Sequence, residues 1–100
     1  MANSVIKRQL DLNDDNINFV TGYERTSFGH PEGTGCWYVG GVSNQSPTGN
    51  SAWGMLFQMR SPKSVHPTSD AVYAQIFIAV NGTVYSRAYN NSAWTAWKTL

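Results

Sequence analysis

The stretch from Gln75 to Leu100 constrains this chain more than any other, because it sets two β-type runs on either side of Asn81-Gly82. Both residues accept positive φ at low cost, so Asn-Gly between such runs is the strongest short-range hairpin signal. On the first run Val72, Ala74, Ile76, Ile78 and Val80 form an unbroken apolar face. The second is tyrosine-rich and leads through Asn90-Asn91-Ser92 to a Trp94-x-x-Trp97 ending. A two-residue turn at Asn81-Gly82 predicts the pairs Val80–Thr83, Ile78–Tyr85 and Ile76–Arg87. Phe77 then faces Ser86, and Ala79 faces Val84.

The rest of the chain reads the same way. Ala52 to Arg60 alternates, with Trp53, Met55, Phe57 and Met59 on one face and Gly54, Leu56, Gln58 and Arg60 on the other. This pattern predicts a strand that buries its odd face strongly and its even face in part. A short strand is expected over Ile17 to Thr21, ended by Gly22, and another over Cys36 to Val42. Thr26 to Gly35, Ser43 to Ser51 and Ser61 to Asp70 carry the Gly, Pro and small polar residues of loops. Asn50-Ser51-Ala52-Trp53 recurs as Asn91-Ser92-Ala93-Trp94, each copy a turn leading into a strand. No 3.6-residue stripe reaches helical length. The expected class is all-β: a small antiparallel sandwich or meander with a C-terminal hairpin. Residues 1–12 read as a leading segment or stalk linker, and residues 13–100 as the β domain.

Composition narrows the partners. One hundred residues, 41% of them hydrophobic, form a single modest core, burying roughly 60–65% of the surface of the unfolded chain. Charged residues make up only 13%, against roughly 25% in ordinary soluble domains. A surface built from amides and hydroxyls suits protein contacts and neutral glycans better than charged ligands. Net charge is +1 and the largest basic cluster is Lys7-Arg8, so a nucleic-acid partner is not expected. No apolar run approaches the ~20 residues that cross a bilayer, so membrane insertion is not expected, and Lys7-Arg8 is not followed by the apolar core of a signal peptide. Cys36 is the only cysteine, which excludes an internal disulfide.

Motifs for catalysis or metal binding are thin. Asp11-x-Asn13-x-Asp15 opens like a calcium loop, but Asn16 stands where the loop needs Gly and Gly22 where it needs a bidentate Glu. His30 and His66 sit beside prolines in loops, and Glu32 and Cys36 near His30 make an incomplete zinc set. There is no Gly-x-Ser-x-Gly elbow, phosphate loop or flanking carboxylate pair. The expectation is no enzyme, no cofactor and no metal. The thirteen aromatics remain. Trp37, Trp53, Trp94 and Trp97 are expected in the core. Tyr85, Arg87 and Tyr89 share one face of the second hairpin strand and are the candidate glycan-contact residues, since aromatic rings stack on the apolar faces of sugars.

Gln75-Ile76-Phe77, Tyr85-Ser86-Arg87 and the closing Trp94-x-x-Trp97-Lys98 resemble the pyocin-type knob domains of phage tail fibres and R-type tailocin fibres. Asp11-Leu12-Asn13, Gly22-Tyr23 and Pro31-x-Gly33 match the first half of such domains more loosely, and the extended Ser43 to Ala52 loop departs from them. The resemblance implies a homotrimeric, non-catalytic virion module near the distal end of a fibre. It would contact other virion proteins and take part in adsorption to a bacterial surface polysaccharide or lipopolysaccharide. Two further readings stand beside it. One is a virion decoration or minor structural protein without glycan affinity, complete from Met1. The other is a monomeric carbohydrate-binding module of a bacterial surface enzyme.

Overall fold

A computed structural model describes residues 19–29, 33–67 and 71–100. Its strands are β1 (Phe19–Glu24), β2 (Thr34–Val42), β3 (Ala52–Arg60), β4 (Tyr73–Ala79), β5 (Val84–Asn90), β6 (Ala93–Trp94) and β7 (Lys98–Thr99). They form one sheet in the order β1-β2-β3-β4-β5-β6, with β7 also pairing β5. The class is all-β, and β2 to β5 run as an antiparallel meander. β1 alters the expected all-antiparallel pattern by pairing β2 in parallel. Gly22 does not end that strand. It lies inside β1, where an added Cβ would stand 3.3 Å from Cδ1 of Trp37. The 1–12 segment and the Asp11–Asp15 motif lie outside the described residues, as do His30 and Glu32.

The C-terminal hairpin forms with its register one residue away from the expected one. Ile78 pairs with Val84, Phe77 with Tyr85, Ile76 with Ser86 and Gln75 with Arg87. The cause is loop length. Ala79 N–H donates to Thr83 O (2.9 Å) and Gly82 N–H to Ala79 O (2.8 Å), which leaves Val80, Asn81 and Gly82 in the loop. Gly82 takes φ +89°, the left-handed residue of a three-residue hairpin. The two-residue turn lies ten residues later. Asn91 and Ser92, at φ 52° and 64°, join the paired residues Asn90 and Ala93 with the double positive φ of a type I′ turn. Asn50 and Ser51, in the matching tetrapeptide, are not in that conformation.

Burial on β3 is the reverse of that expected. Gly54, Leu56 and Gln58 are buried, whereas Trp53, Met55, Phe57 and Met59 are 48%, 38%, 39% and 67% exposed. The layer over the even face is built of loops. Phe28, fully buried, lies edge-on to Phe77 (centroids 4.9 Å) and Trp97 (5.7 Å). Its segment is tied to the next loop by Phe28 N–H donating to Asn44 O at 3.1 Å. Val39, Val42, Leu56 and Phe77 complete the core. Loop backbone brings carbonyls that need donors when buried. The face bearing Gln58 and Gln75 supplies them, and the all-apolar face cannot.

Candidate functional site

The three candidate residues of β5 all lie on the covered face, and the structure gives each a different role. Arg87 is 8% exposed. Its Nε donates to Oε1 of Gln75 (2.7 Å) and its Nη2 to Oε1 of Gln45 (3.1 Å). The guanidinium carbon lies 3.8 Å from the ring centre of Trp94 and 4.6 Å from that of Trp97. Two indoles and two amides thus replace the water lost on burial. Burial lowers the Arg87 pKa to about 10. Arg87 is enclosed rather than presented to a ligand. The network continues inward: Gln75 Nε2 donates to Phe28 O (2.6 Å) and to Gln58 Oε1 (2.8 Å), and Gln58 Nε2 donates to Gly33 O (2.9 Å).

Tyr89 packs against Trp94 (centroids 5.1 Å) and Tyr73 (5.7 Å) at the start of the terminal turn. Trp94 and Trp97 are half-buried, and Trp97 Nε1 donates to Gln45 O at 2.8 Å. Of the four tryptophans, Trp37 alone is buried, while Trp53 stands on the open side of the sheet.

Tyr85 is half-buried and stacks on Phe77 (centroids 6.4 Å). It also lines a cleft of about 190 Å³ with Pro47, Thr48, Ser51, Trp53 and Asn81. None of the cleft's lining residues is charged. The loop over it is held by Ser46 Oγ donating to Asn50 O (2.7 Å) and by the Gly49 N–H donating to Ser46 O (3.3 Å). The Ser43 to Ala52 loop is this roof. Thr48, Ser51 and Asn81 were invisible as site residues, because only the β3–β4–β5 pairing brings their two loops together.

The second feature is the open face. Tyr23, Tyr38, Trp53, Met55, Phe57, Met59, Ile76 and Ile78 are all 38–67% exposed. Register makes them one surface, since Phe57 pairs with Cys36 and Ile76, Met55 with Tyr38 and Ile78, and the Tyr23 and Tyr38 rings lie 5.2 Å apart. Taking about 200 Å² for a large side chain fully exposed, they present roughly 700 Å² of mostly apolar area. That exceeds the ~300–600 Å² of the largest patch on typical monomers. Cys36 lies half-buried within this face, and burial raises its pKa.

Among the described residues no group of three or more His, Cys, Asp or Glu side chains could hold a metal ion, and no helix is long and apolar enough to cross a membrane. Comparison with family models, curated proteins and solved structures finds no match to this chain.

Proposed function

We propose that the chain is a homotrimeric, non-catalytic module of a phage tail fibre or tailocin-like particle. It is carried on the virion and contributes to adsorption to a bacterial surface polysaccharide or lipopolysaccharide. The observation that carries this reading is the open sheet face. Its roughly 700 Å² is close to the ~800 Å² that each partner contributes to a standard interface. It is poor in charge, which is the composition of subunit contacts. Closed cyclic assemblies satisfy such a face without leaving an open end. A monomeric carbohydrate-binding module would leave it in water at a cost of about 25 cal/mol per Å². The resemblance of Gln75-Ile76-Phe77, Tyr85-Ser86-Arg87 and Trp94-x-x-Trp97-Lys98 to fibre knobs supports a threefold assembly.

Native mass spectrometry and light scattering on the stalk-attached protein test this directly. A trimer that Phe57→Glu converts to folded monomers is the expected result. A stable monomer of the unsubstituted protein overturns both the trimer and the fibre reading. A virion decoration protein uses the same face against a different virion protein; it would co-purify with particles and leave host adsorption unchanged when removed.

A further inference from the structure

We propose that the cleft between the Ser43–Ala52 loop and the β4–β5 turn is a subsite for one neutral pyranose unit of the surface glycan. This rests on the fibre reading and assigns its contact point. The first argument is chemical. Tyr85 gives the cleft an aromatic wall and Ala52, Ala79 and Val80 add apolar surface beside it, while Thr48, Ser51, Asn81 and the Tyr85 phenol place hydroxyl and amide groups around them. Asn81 Oδ1 accepts from Thr83 N–H (3.0 Å), which leaves the amide nitrogen to donate, and Thr48 Oγ1 accepts from Asn50 N–H (3.3 Å), which leaves its O–H to donate. That mixture matches a sugar ring, apolar on its faces and hydroxylated at its rim. With no charged residue in the lining, nothing compensates a carboxylate, phosphate or ammonium, so the unit is a neutral one.

The second argument is size. About 190 Å³ lies below the roughly 300–1,000 Å³ of pockets that enclose drug-sized ligands. It holds a single ring, with the remainder of a polymer running past the mouth.

The third argument is position. The chain enters β1 at Phe19, which pairs with Thr34. At that end of the sheet lie also Gln58 beside Gly35, Arg60 beside Tyr73, and Tyr89. The cleft is at the opposite end, where Val42 pairs with Ala52, Gly54 with Ala79 and Ile78 with Val84. In the fibre reading the cleft thus lies at the end of the sheet away from the start of β1.

The test uses the full chain, ¹⁵N-labelled and titrated with methyl α-glucopyranoside, methyl β-galactopyranoside, N-acetylglucosamine and methyl α-rhamnopyranoside at millimolar concentrations. Saturable shifts confined to amides of residues 47–53 and 79–85 are expected from at least one of them. Ser51→Trp, an exposed loop substitution that fills the mouth, should weaken that binding about tenfold or more, which is ~1.4 kcal/mol. Tyr85→Phe, which keeps the ring and removes only the hydroxyl, should weaken it severalfold. Saturable shifts that map elsewhere, or none from all four sugars, overturn the proposal. Adsorption of the whole fibre to host cells separates the two levels. Adsorption that Ser51→Trp leaves intact removes the subsite and keeps the fibre reading, whereas an unsubstituted fibre that does not adsorb removes both.

Discussion

Nε of Arg87 donates to Oε1 of Gln75 across 2.7 Å, and the same Gln75 amide gives its nitrogen to the Phe28 carbonyl and to Gln58. One buried amide thus joins the strand that carries Arg87 to the loop that covers the core. Buried polar groups of this kind are costly when a single partner is removed. Gln75→Leu removes the donor to the Phe28 carbonyl and the acceptor of the Arg87 Nε–H, and breaks the bond to Gln58. It should lower stability by about 3 kcal/mol or more. Arg87→Lys keeps the charge but loses the planar stack between Trp94 and Trp97, and should cost about 2 kcal/mol. Urea unfolding of both variants measures this, and a midpoint unchanged for Gln75→Leu would contradict it.

Gly82 carries the turn that sets the β4–β5 register. A Cβ there meets nothing within 4 Å, so the cost of adding one is purely conformational at φ +89°. Gly82→Ala should destabilise by about 1–2 kcal/mol. Cross-strand NOEs between Ile78 and Val84, and between Phe77 and Tyr85, report the register itself; an Ile78–Tyr85 pairing would instead require a two-residue turn.

The two sheet faces should respond oppositely to substitution. Phe77→Ala opens a hole beneath Phe28 and Tyr85 and should cost about 3–5 kcal/mol in any assembly state. Met55→Glu on the open face, where Met55 is 38% exposed, should cost an isolated subunit less than Phe77→Ala, about 1–2 kcal/mol, yet abolish association. Calorimetry paired with light scattering distinguishes them. Association that survives Met55→Glu would move the interface to another surface.

Acid should act through Glu24, among other carboxylates. Burial favours its neutral form, but hydrogen bonds from the Thr26 N–H and hydroxyl and from the Ser27 and Arg25 N–H groups outweigh this and hold its pKa below the ordinary carboxylate value. A carboxyl with a lowered folded pKa contributes stability above its unfolded pKa, and that contribution is lost as pH falls through the folded value. Stability should therefore drop below about pH 4.5. Glu24→Gln should be less stable than the natural chain at neutral pH, with the difference shrinking in acid. Thermal melts of both proteins from pH 7 to pH 3 give the comparison.

Much of this was legible in the residue order. Asn81-Gly82 between β-type runs determined a hairpin, the alternation from Ala52 to Arg60 determined a strand with the bounds observed, and the absence of a helical stripe determined the class. Alternation, however, distinguishes two faces without saying which one turns inward. The more apolar face of β3 is the open one, because the covering layer is loop backbone whose carbonyls require Gln58 and Gln75. The β5 register escaped for a similar reason. Asn-Gly is compatible with two- and three-residue turns, and the choice between them moves every side chain of the strand relative to its neighbours. That one-residue difference sets Tyr85 beside Phe77 and Arg87 beside Gln75 on the covered face. The cleft residues come from loops far apart in the chain. Only the sheet, by pairing Gly54 with Ala79 and Ile78 with Val84, brings Ser51 and Asn81 to one opening.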